Sequence, residues 1–187
     1  MPEGTTVTEM RGPEINAAAG EGEGRRNRTA TLHWLWGSVL IVLLDQSTKA
    51  AVEAGLRLYQ TIELLPVFNL TLAHNSGAAF SLLASANGWQ RWLFSILAVM
   101  VSGLLIVWLR RLRPDAVSEA LGIALILGGA WGNLWDRIWL GYVIDFIQVH
   151  WHDWYFPAFN VADSAITIGA GLLILDAFFP QGGKRNS

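Results

Sequence analysis

The sequence predicts a mainly α-helical membrane protein with four transmembrane helices and a small extracytoplasmic β platform. Hydrophobic residues make up 52% of the 187 positions and charged residues only 15%, whereas an average soluble domain has about 25% charged residues. Four apolar segments approach the ~20 residues that a helix needs to cross the hydrocarbon core. The ten tryptophans are many for this length, and tryptophan is enriched at membrane–water interfaces.

The four apolar segments lie at 32–54, 90–109, 117–139 and 158–179. Polar residues interrupt the first and the third, so we expect those side chains to face protein rather than lipid. The first segment continues into charged residues without a small-residue cleavage site, which favours a retained span over a cleaved signal peptide. Residues 31–180 are therefore predicted to form a single four-helix membrane domain.

Basic residues decide the predicted orientation. They cluster before the first span, after the second and after the fourth, while the other two connections hold few of them. The positive-inside rule then places both termini in the cytoplasm and connections 55–89 and 140–157 outside. Residues 1–30 have no apolar periodicity and predict a disordered cytoplasmic tail, and residues 181–187 form a second, short cytoplasmic tail.

The first outer connection contains the signal for the β platform. Residues 67–73 alternate in the way that is typical of a strand. Residues 74–77 predict a turn, after which residues 78–81 are a candidate returning strand. The second outer connection is rich in aromatic residues and is expected to anchor the chain at the interface. These residues are Trp151, Trp154, Tyr155 and Phe156.

Polar residues from three spans are predicted to meet in the outer third of the membrane. At ~1.5 Å per helical residue, Asp45 lies roughly 20 Å and Asn133 roughly 24 Å above the cytoplasmic ends of their spans. Asp163 lies roughly 8 Å below the outer boundary, and Asp145 can fold back to the same level. Charge is costly inside a membrane, so this cluster indicates a functional site.

Asp145 and Asp163 are the candidate catalytic pair. Two neighbouring carboxyl groups can share one proton and so supply a general acid and a general base together. A loop cap at Asp145 and a helix N-terminal charge at Asp163 are equally compatible with the spacing. Asn133 and Asn160 are expected either to orient carboxylates or substrate, or to make hydrogen bonds between helices.

Two further pairs are interpreted as structural. Asp45 and Lys49 are four residues apart with the acid first, which favours an ion pair within one helix. Asp136 and Arg137 are interpreted as an ion pair at a helix end.

The composition also disfavours several classes of function. The chain has no cysteine, which excludes disulfides and thiol nucleophiles. Its net charge of −2 and the lack of a basic stripe argue against nucleic-acid binding. The four histidines, His33, His74, His150 and His152, raise the question of a metal site, since the last two are two residues apart. Their flanks are aromatic and interfacial, so we expect neither a metal site nor a cofactor.

Five sequence blocks, in order along the chain, resemble the lipoprotein signal peptidase family, also called type II signal peptidase. Together they reach from the first span to the fourth, and the ordered set is much more specific than any single block. The blocks are Asp45-Gln-Ser-Thr-Lys49, Asn75-Ser-Gly-Ala-Ala-Phe80, Gly128-Gly-Ala-Trp-Gly-Asn-Leu-Trp-Asp-Arg137, Val143-Ile-Asp-Phe-Ile147 and Phe159-Asn-Val-Ala-Asp163.

The resemblance implies an aspartic endopeptidase of the bacterial cytoplasmic (inner) membrane, with its site at the outer leaflet. Such an enzyme removes signal peptides from prolipoproteins by cutting just before their lipid-modified Cys. Asp145 and Asp163 match the catalytic pair, and the family implies binding of membrane lipids and of globomycin-type inhibitors. Gly77 is expected to clamp the extended substrate backbone. The expected supporting or substrate-binding residues are Asp45, Lys49, Asn75, Gly77, Asn133, Asp136, Arg137 and Asn160.

Two other functions remain as alternatives. Intramembrane acids also form proton relays, so a small proton-coupled transporter is one of them. The acids cluster on one side, however, and the sequence shows no repeat that would suggest inverted halves. A non-catalytic lipid-binding protein is the other.

Overall fold

The computed structural model describes residues 31–77 and 88–179, and four helices dominate this part of the chain. All four predicted apolar segments are helical, with ends within three residues of those predicted. A 3₁₀ turn at Leu32–Trp34 leads into the first helix. The helices are α1 (Leu35–Gly55), α2 (Trp89–Leu109), α3 (Val117–Trp139) and α4 (Val161–Phe178).

Three of the helices, α2, α3 and α4, are long and apolar enough to cross a membrane. α1 has the same length as α2 but does not reach their hydropathy, so the prediction of four spans is confirmed in helix number only. The surface of α1 still suits lipid, because Leu40 and Leu43 are more than half exposed while Asp45 and Lys49 are buried. A polar side facing protein and an apolar side facing outward is the arrangement expected of a membrane helix.

α3 is the central helix and packs against each of the other three. Glycines make this close packing possible. A Cβ added at Gly128 would lie 2.6 Å from Cβ of Ile41, and one at Gly132 would lie 2.6 Å from a carboxylate oxygen of Asp45. Small residues at helix contacts let backbones approach in membrane proteins, and here they bring α1 up to the polar end of α3.

A four-stranded antiparallel sheet lies beside the helices, in the order β1-β2-β3-β4. The two central strands set the register that matters for the site, with Ala73 opposite Asp145 and Asn75 opposite Val143. The strands are β1 (Thr61–Leu65), β2 (Phe68–Asn75), β3 (Val143–Trp151) and β4 (Trp154–Tyr155).

The predicted platform is confirmed, but its composition differs from the prediction. The strand expected at 67–73 is β2, yet the turn expected at 74–77 is wrong at His74 and Asn75. These two residues continue β2 because β3 pairs with them as far as Val143. The candidate strand at 78–81 lies outside the described residues. β2 instead pairs with β1 and with β3, and β3 comes from the second outer connection, for which only an interfacial anchor was expected.

The aromatic end of that connection forms the β3–β4 hairpin. Trp151 and Trp154 pair at its tip and are 66% and 62% exposed, as expected of side chains that meet a membrane interface. The tails predicted at 1–30 and 181–187 lie outside the described residues.

Candidate active site

Asp145 and Asp163 line the same cavity, which has a volume of about 890 Å³. Asp145 lies on β3, and Asp163 lies in the first turn of α4. Two amide side chains hold them. Asn160 Nδ2 donates to Asp145 Oδ1 at 2.8 Å, and Asn133 Nδ2 donates to Asp163 Oδ1 at 2.7 Å. The structure therefore brings the candidate pair into one pocket, from a strand and from a helix.

The Asp145 carboxyl group is buried and held on both oxygens. Asn75 Nδ2 donates to its second oxygen, Oδ2, at 2.9 Å. Burial raises the pKa of Asp145 to about 7, against the lowering effect of the Asn75 hydrogen bond and with a further rise from the negative charge of Asp163. A carboxyl group in this state can hold a proton near neutral pH and release it again.

Asp163 occupies the third position of α4, and Asn160 is the helix N-cap. Asn160 Oδ1 accepts a hydrogen bond from the Asp163 backbone N–H at 2.9 Å. An asparagine cap satisfies one of the free N–H groups at a helix start, and the N-terminal turn is favourable for a carboxylate. The Asn160 side-chain oxygen thus caps the helix that carries Asp163, and its nitrogen holds Asp145.

A buried ion cluster lies behind the pair and is centred on Lys49. Its ammonium group lies 2.7 Å from Asp45 Oδ2 and 2.8 Å from Asp136 Oδ2, and it donates to Asn133 Oδ1 at 3.1 Å. The two acids then reach backbone N–H groups, Asp45 that of Ala162 and Asp136 that of Ile144. The cluster joins α1 and α3 to the starts of α4 and β3.

The prediction for Asp45 and Lys49 is confirmed, whereas the one for Asp136 is wrong. Asp136 pairs with Lys49 and not with Arg137, because consecutive residues point to different sides of a helix. Gln46 also belongs to this cluster, although it was not among the predicted site residues: its Nε2 donates to Asp136 Oδ1 at 2.8 Å. Its position between Asp45 and Lys49 in the first block was the available signal.

Arg137 and Gly77 also line the cavity. Arg137 Nη1 donates to the backbone oxygen of Asn133 at 3.2 Å, and its guanidinium lies 5.3 Å from the ring centre of Phe94. The Gly77 N–H donates to Asn75 Oδ1 at 3.1 Å. Because its oxygen is engaged in this way, the Asn75 amide directs its nitrogen at Asp145.

Of the histidines considered as metal ligands, His74 lines this cavity, whereas His150 and His152 do not. His150 stacks on Tyr155 with the ring centres 5.1 Å apart, and His152 follows β3 in the hairpin turn. Among the described residues, no three His, Cys, Asp or Glu side chains are grouped as metal ligands.

Comparison with known proteins identifies the family. The profile of the family described as signal peptidase (SPase) II matches residues 38–179. A lipoprotein signal peptidase of Pseudomonas aeruginosa (strain UCBPP-PA14) is 56% identical over 81% of this chain and 91% of its own length. One from Pseudomonas syringae pv. tomato (strain DC3000) is 60% identical over 79% of this chain and 86% of its own.

Solved structures agree with the sequence relatives. A bacterial membrane enzyme determined by the in meso method at 2.3 Å superposes with a TM-score of 0.72 at 28% identity, covering 83% of this chain and 93% of that one. Since the family profile and the relatives both span most of the chain, the protein belongs to the signal peptidase II family.

Proposed function

We propose that the chain is an intramembrane aspartic endopeptidase that removes signal peptides from prolipoproteins, cutting just before the lipid-modified Cys. One observation carries this proposal: Asp145 and Asp163 line one cavity, each held by an amide nitrogen less than 3 Å away. The names of the relatives supply the substrate class. The protein is a multi-pass peptidase of the bacterial inner membrane, and membrane lipids are its surroundings.

The two carboxyl groups have different tasks in the proposed reaction. Asp163 takes a proton from a water molecule, and the resulting hydroxide attacks the carbonyl carbon of the scissile peptide. Asp145, which holds a proton because burial raises its pKa to about 7, gives that proton to the leaving nitrogen. The C–N bond then breaks, and the products are the carboxylate of the signal peptide and the free amine of the Cys.

The remaining wall of the cavity suits an extended peptide with a lipid anchor. Arg137 provides N–H donors for peptide carbonyl groups, whereas the Gly77 N–H is already bonded to Asn75 Oδ1. A cation near the reacting carbonyl also stabilises developing negative charge. Phe94 and Ile168 line the cavity too, and Ile168 is 58% exposed on the lipid-facing surface of α4. Acyl chains enter between these two residues in the proposed complex, and globomycin-type inhibitors occupy the same space.

The proposed orientation places this cavity at the outer leaflet. Asp163 lies at the start of α4 and Asp145 lies on the sheet, so both are at the end of the bundle opposite the basic loop at 110–113. Basic loops remain in the cytoplasm. Both termini are then cytoplasmic.

Cleavage of a purified lipidated prolipoprotein in detergent tests the proposal. The parent protein should release the signal peptide, whereas Asp145→Asn and Asp163→Asn should lose at least about a thousandfold in rate, as expected for the loss of a general acid or base. Asp153→Asn, at an exposed acid in the β3–β4 turn, is the matched control and should cleave normally. Cleavage by both active-site variants at the parent rate would show that Asp145 and Asp163 are not a catalytic pair.

The two other functions have no support in the molecule. In the described part of the chain, the buried acids Asp45, Asp136 and Asp145 lie at one end of the bundle, and no line of buried acids crosses it as a proton relay requires. The sequence and structural relatives give no indication of transport. A non-catalytic lipid-binding protein would have no need for a paired carboxyl site and would leave the prolipoprotein intact in the same assay.

A further inference from the structure

Arg137 lines the cavity with few partners to fix its direction. Its guanidinium makes one hydrogen bond with the described residues, from Nη1 to the Asn133 backbone oxygen at 3.2 Å. No carboxylate of these residues forms an ion pair with it. It interacts with Asp163 and Asp145 only through their fields. Since a guanidinium has five N–H donors, four of them have no partner among the described residues.

The second contact of this guanidinium is an aromatic ring from another helix. The Arg137 Cζ atom lies 5.3 Å from the ring centre of Phe94, within the ~6 Å of a cation–π interaction. Phe94 lies one turn into α2 and is half-buried. Among the described residues it is the one position of α2 that lines the cavity, although α2 packs along α3.

We propose that Phe94 is a positioning residue, whose ring holds the Arg137 guanidinium against the cavity wall with its free N–H groups directed at the substrate backbone. This inference rests on the proposed function, because it concerns how the same site engages its peptide. An arginine side chain has several rotatable bonds, and one hydrogen bond leaves it free to swing toward lipid or headgroups. The ring attracts the guanidinium from 5.3 Å and so restricts that freedom without consuming a donor.

An aromatic ring suits the Arg137 guanidinium better than a carboxylate in this cavity beside lipid. A carboxylate in its place would occupy two of the donors and would add negative charge beside Asp145 and Asp163. A ring supplies attraction through its quadrupole while presenting an apolar edge to lipid. Phe94 therefore lets Arg137 remain a cation with donors to spare in a cavity that already contains two acids.

The test compares Phe94→Leu with Phe94→Tyr in the cleavage of a lipidated prolipoprotein. Leucine keeps an apolar side chain but removes the ring face, so kcat/KM should fall about tenfold, within the range of a partly desolvated cation–π contact. Tyrosine keeps the ring and should retain the parent value within about twofold. Phe178→Leu, the same substitution at an exposed position near the other end of the molecule, is the control and should have no effect.

A second arm separates positioning from simple packing or substrate contact. In an Arg137→Gln background there is no cation for the ring to hold, so adding Phe94→Leu should cost less than about twofold. The pH profile is the other readout. A displaced guanidinium no longer favours the ionised carboxyl of Asp145, so the pKa of Asp145 should rise in Phe94→Leu. The alkaline limb of the cleavage rate should then move to higher pH in Phe94→Leu and stay in place in Phe94→Tyr.

Three results would overturn the inference. They are a parent-like kcat/KM for Phe94→Leu, an equal loss for the leucine and tyrosine variants, or the same loss in the parent and Arg137→Gln backgrounds with an unmoved alkaline limb of the pH profile. These results are distinct from failure of the proposed function. In that case the parent protein itself would leave the prolipoprotein uncut.

Discussion

Replacing Lys49 by methionine should destabilise the protein more than any exposed substitution. Methionine retains an unbranched apolar side chain of similar length and removes only the ammonium group. The ammonium group lies within 2.8 Å of both Asp45 and Asp136, and all three residues are at most 1% exposed. Lys49→Met therefore leaves two buried acids with no cation between them.

The expected magnitude follows from this burial. Removing one partner of a buried ion pair costs about 3–5 kcal/mol, because the other charge remains desolvated. Here two acids lose their partner, which places Lys49→Met at the upper part of that range. The variant should also lose activity, since the ammonium group engages Asn133 Oδ1 at 3.1 Å and so keeps the Asn133 nitrogen directed at Asp163.

Denaturant or thermal unfolding in detergent micelles measures the first effect, and prolipoprotein cleavage measures the second. The triple variant Asp45→Asn, Lys49→Met, Asp136→Asn is the compensated control, because neutral replacement of a whole buried ion cluster is often tolerated. It should regain at least half of the lost stability. A Lys49→Met protein within about 1 kcal/mol of the parent would refute the reasoning, since the cluster would then contribute no more than a surface pair.

Three further outcomes are expected. Asn75→Leu removes a hydrogen bond that lowers the Asp145 pKa, so the alkaline limb of the cleavage rate should move up by about one pH unit; an unmoved limb would contradict the proposed acid role. Gly132→Ala puts a Cβ 2.6 Å from a carboxylate oxygen of Asp45 and should cost about 1–3 kcal/mol of stability. Gly171→Ala is the control, because nothing lies within 4 Å of its added Cβ, and it should be neutral or slightly stabilising. Equal unfolding midpoints for Gly132→Ala and Gly171→Ala would argue against close packing of α1 on α3 at Gly132. Folding raises the Asp145 pKa from 3.8 to about 7, so between these two pH values the native state binds more protons than the unfolded state. The free energy of unfolding of the parent should therefore fall as the pH rises through this range. Asp145→Asn should lack this pH dependence, so its melting temperature should rise relative to that of the parent between pH 5 and pH 8. A difference in melting temperature that stays constant over this range would show that ionisation of Asp145 does not destabilise the fold.

The helices could be predicted from the sequence because their signal is local. Runs of about 20 apolar residues leave few alternatives, and helical rise gives depth directly, which is why Asp45, Asn133 and Asp163 were expected at one level. Strand β2 was also predicted from its alternation. β3 was missed because its first four residues are buried on both faces, so its apolar and polar residues do not alternate as in a half-buried strand.

The errors concern contacts between distant parts of the chain. Spacing along one helix predicted the ion pair between Asp45 and Lys49, but no spacing rule predicts the ion pair between Lys49 on α1 and Asp136 on α3. The same holds for Phe94 and Arg137, which come from different helices. An apolar residue in an apolar helix carries no sequence signal of its contact with a charged group, so only the packing of α2 on α3 revealed it.

The placement of the two proposed catalytic groups on different scaffolds has a mechanical consequence. Asp163 belongs to a helix whose tilt must follow the thickness of the surrounding bilayer, whereas Asp145 belongs to a sheet that is free of that constraint. The side chain of Asn160, at 2.8 Å from Asp145 and 2.9 Å from the Asp163 N–H, links the two scaffolds, together with the backbone hydrogen bonds between Ile147 and Phe159. A change of tilt reaches both aspartates through these contacts. Hydrophobic mismatch therefore acts directly on the geometry of the pair, and turnover should depend on the acyl-chain length of the host lipid.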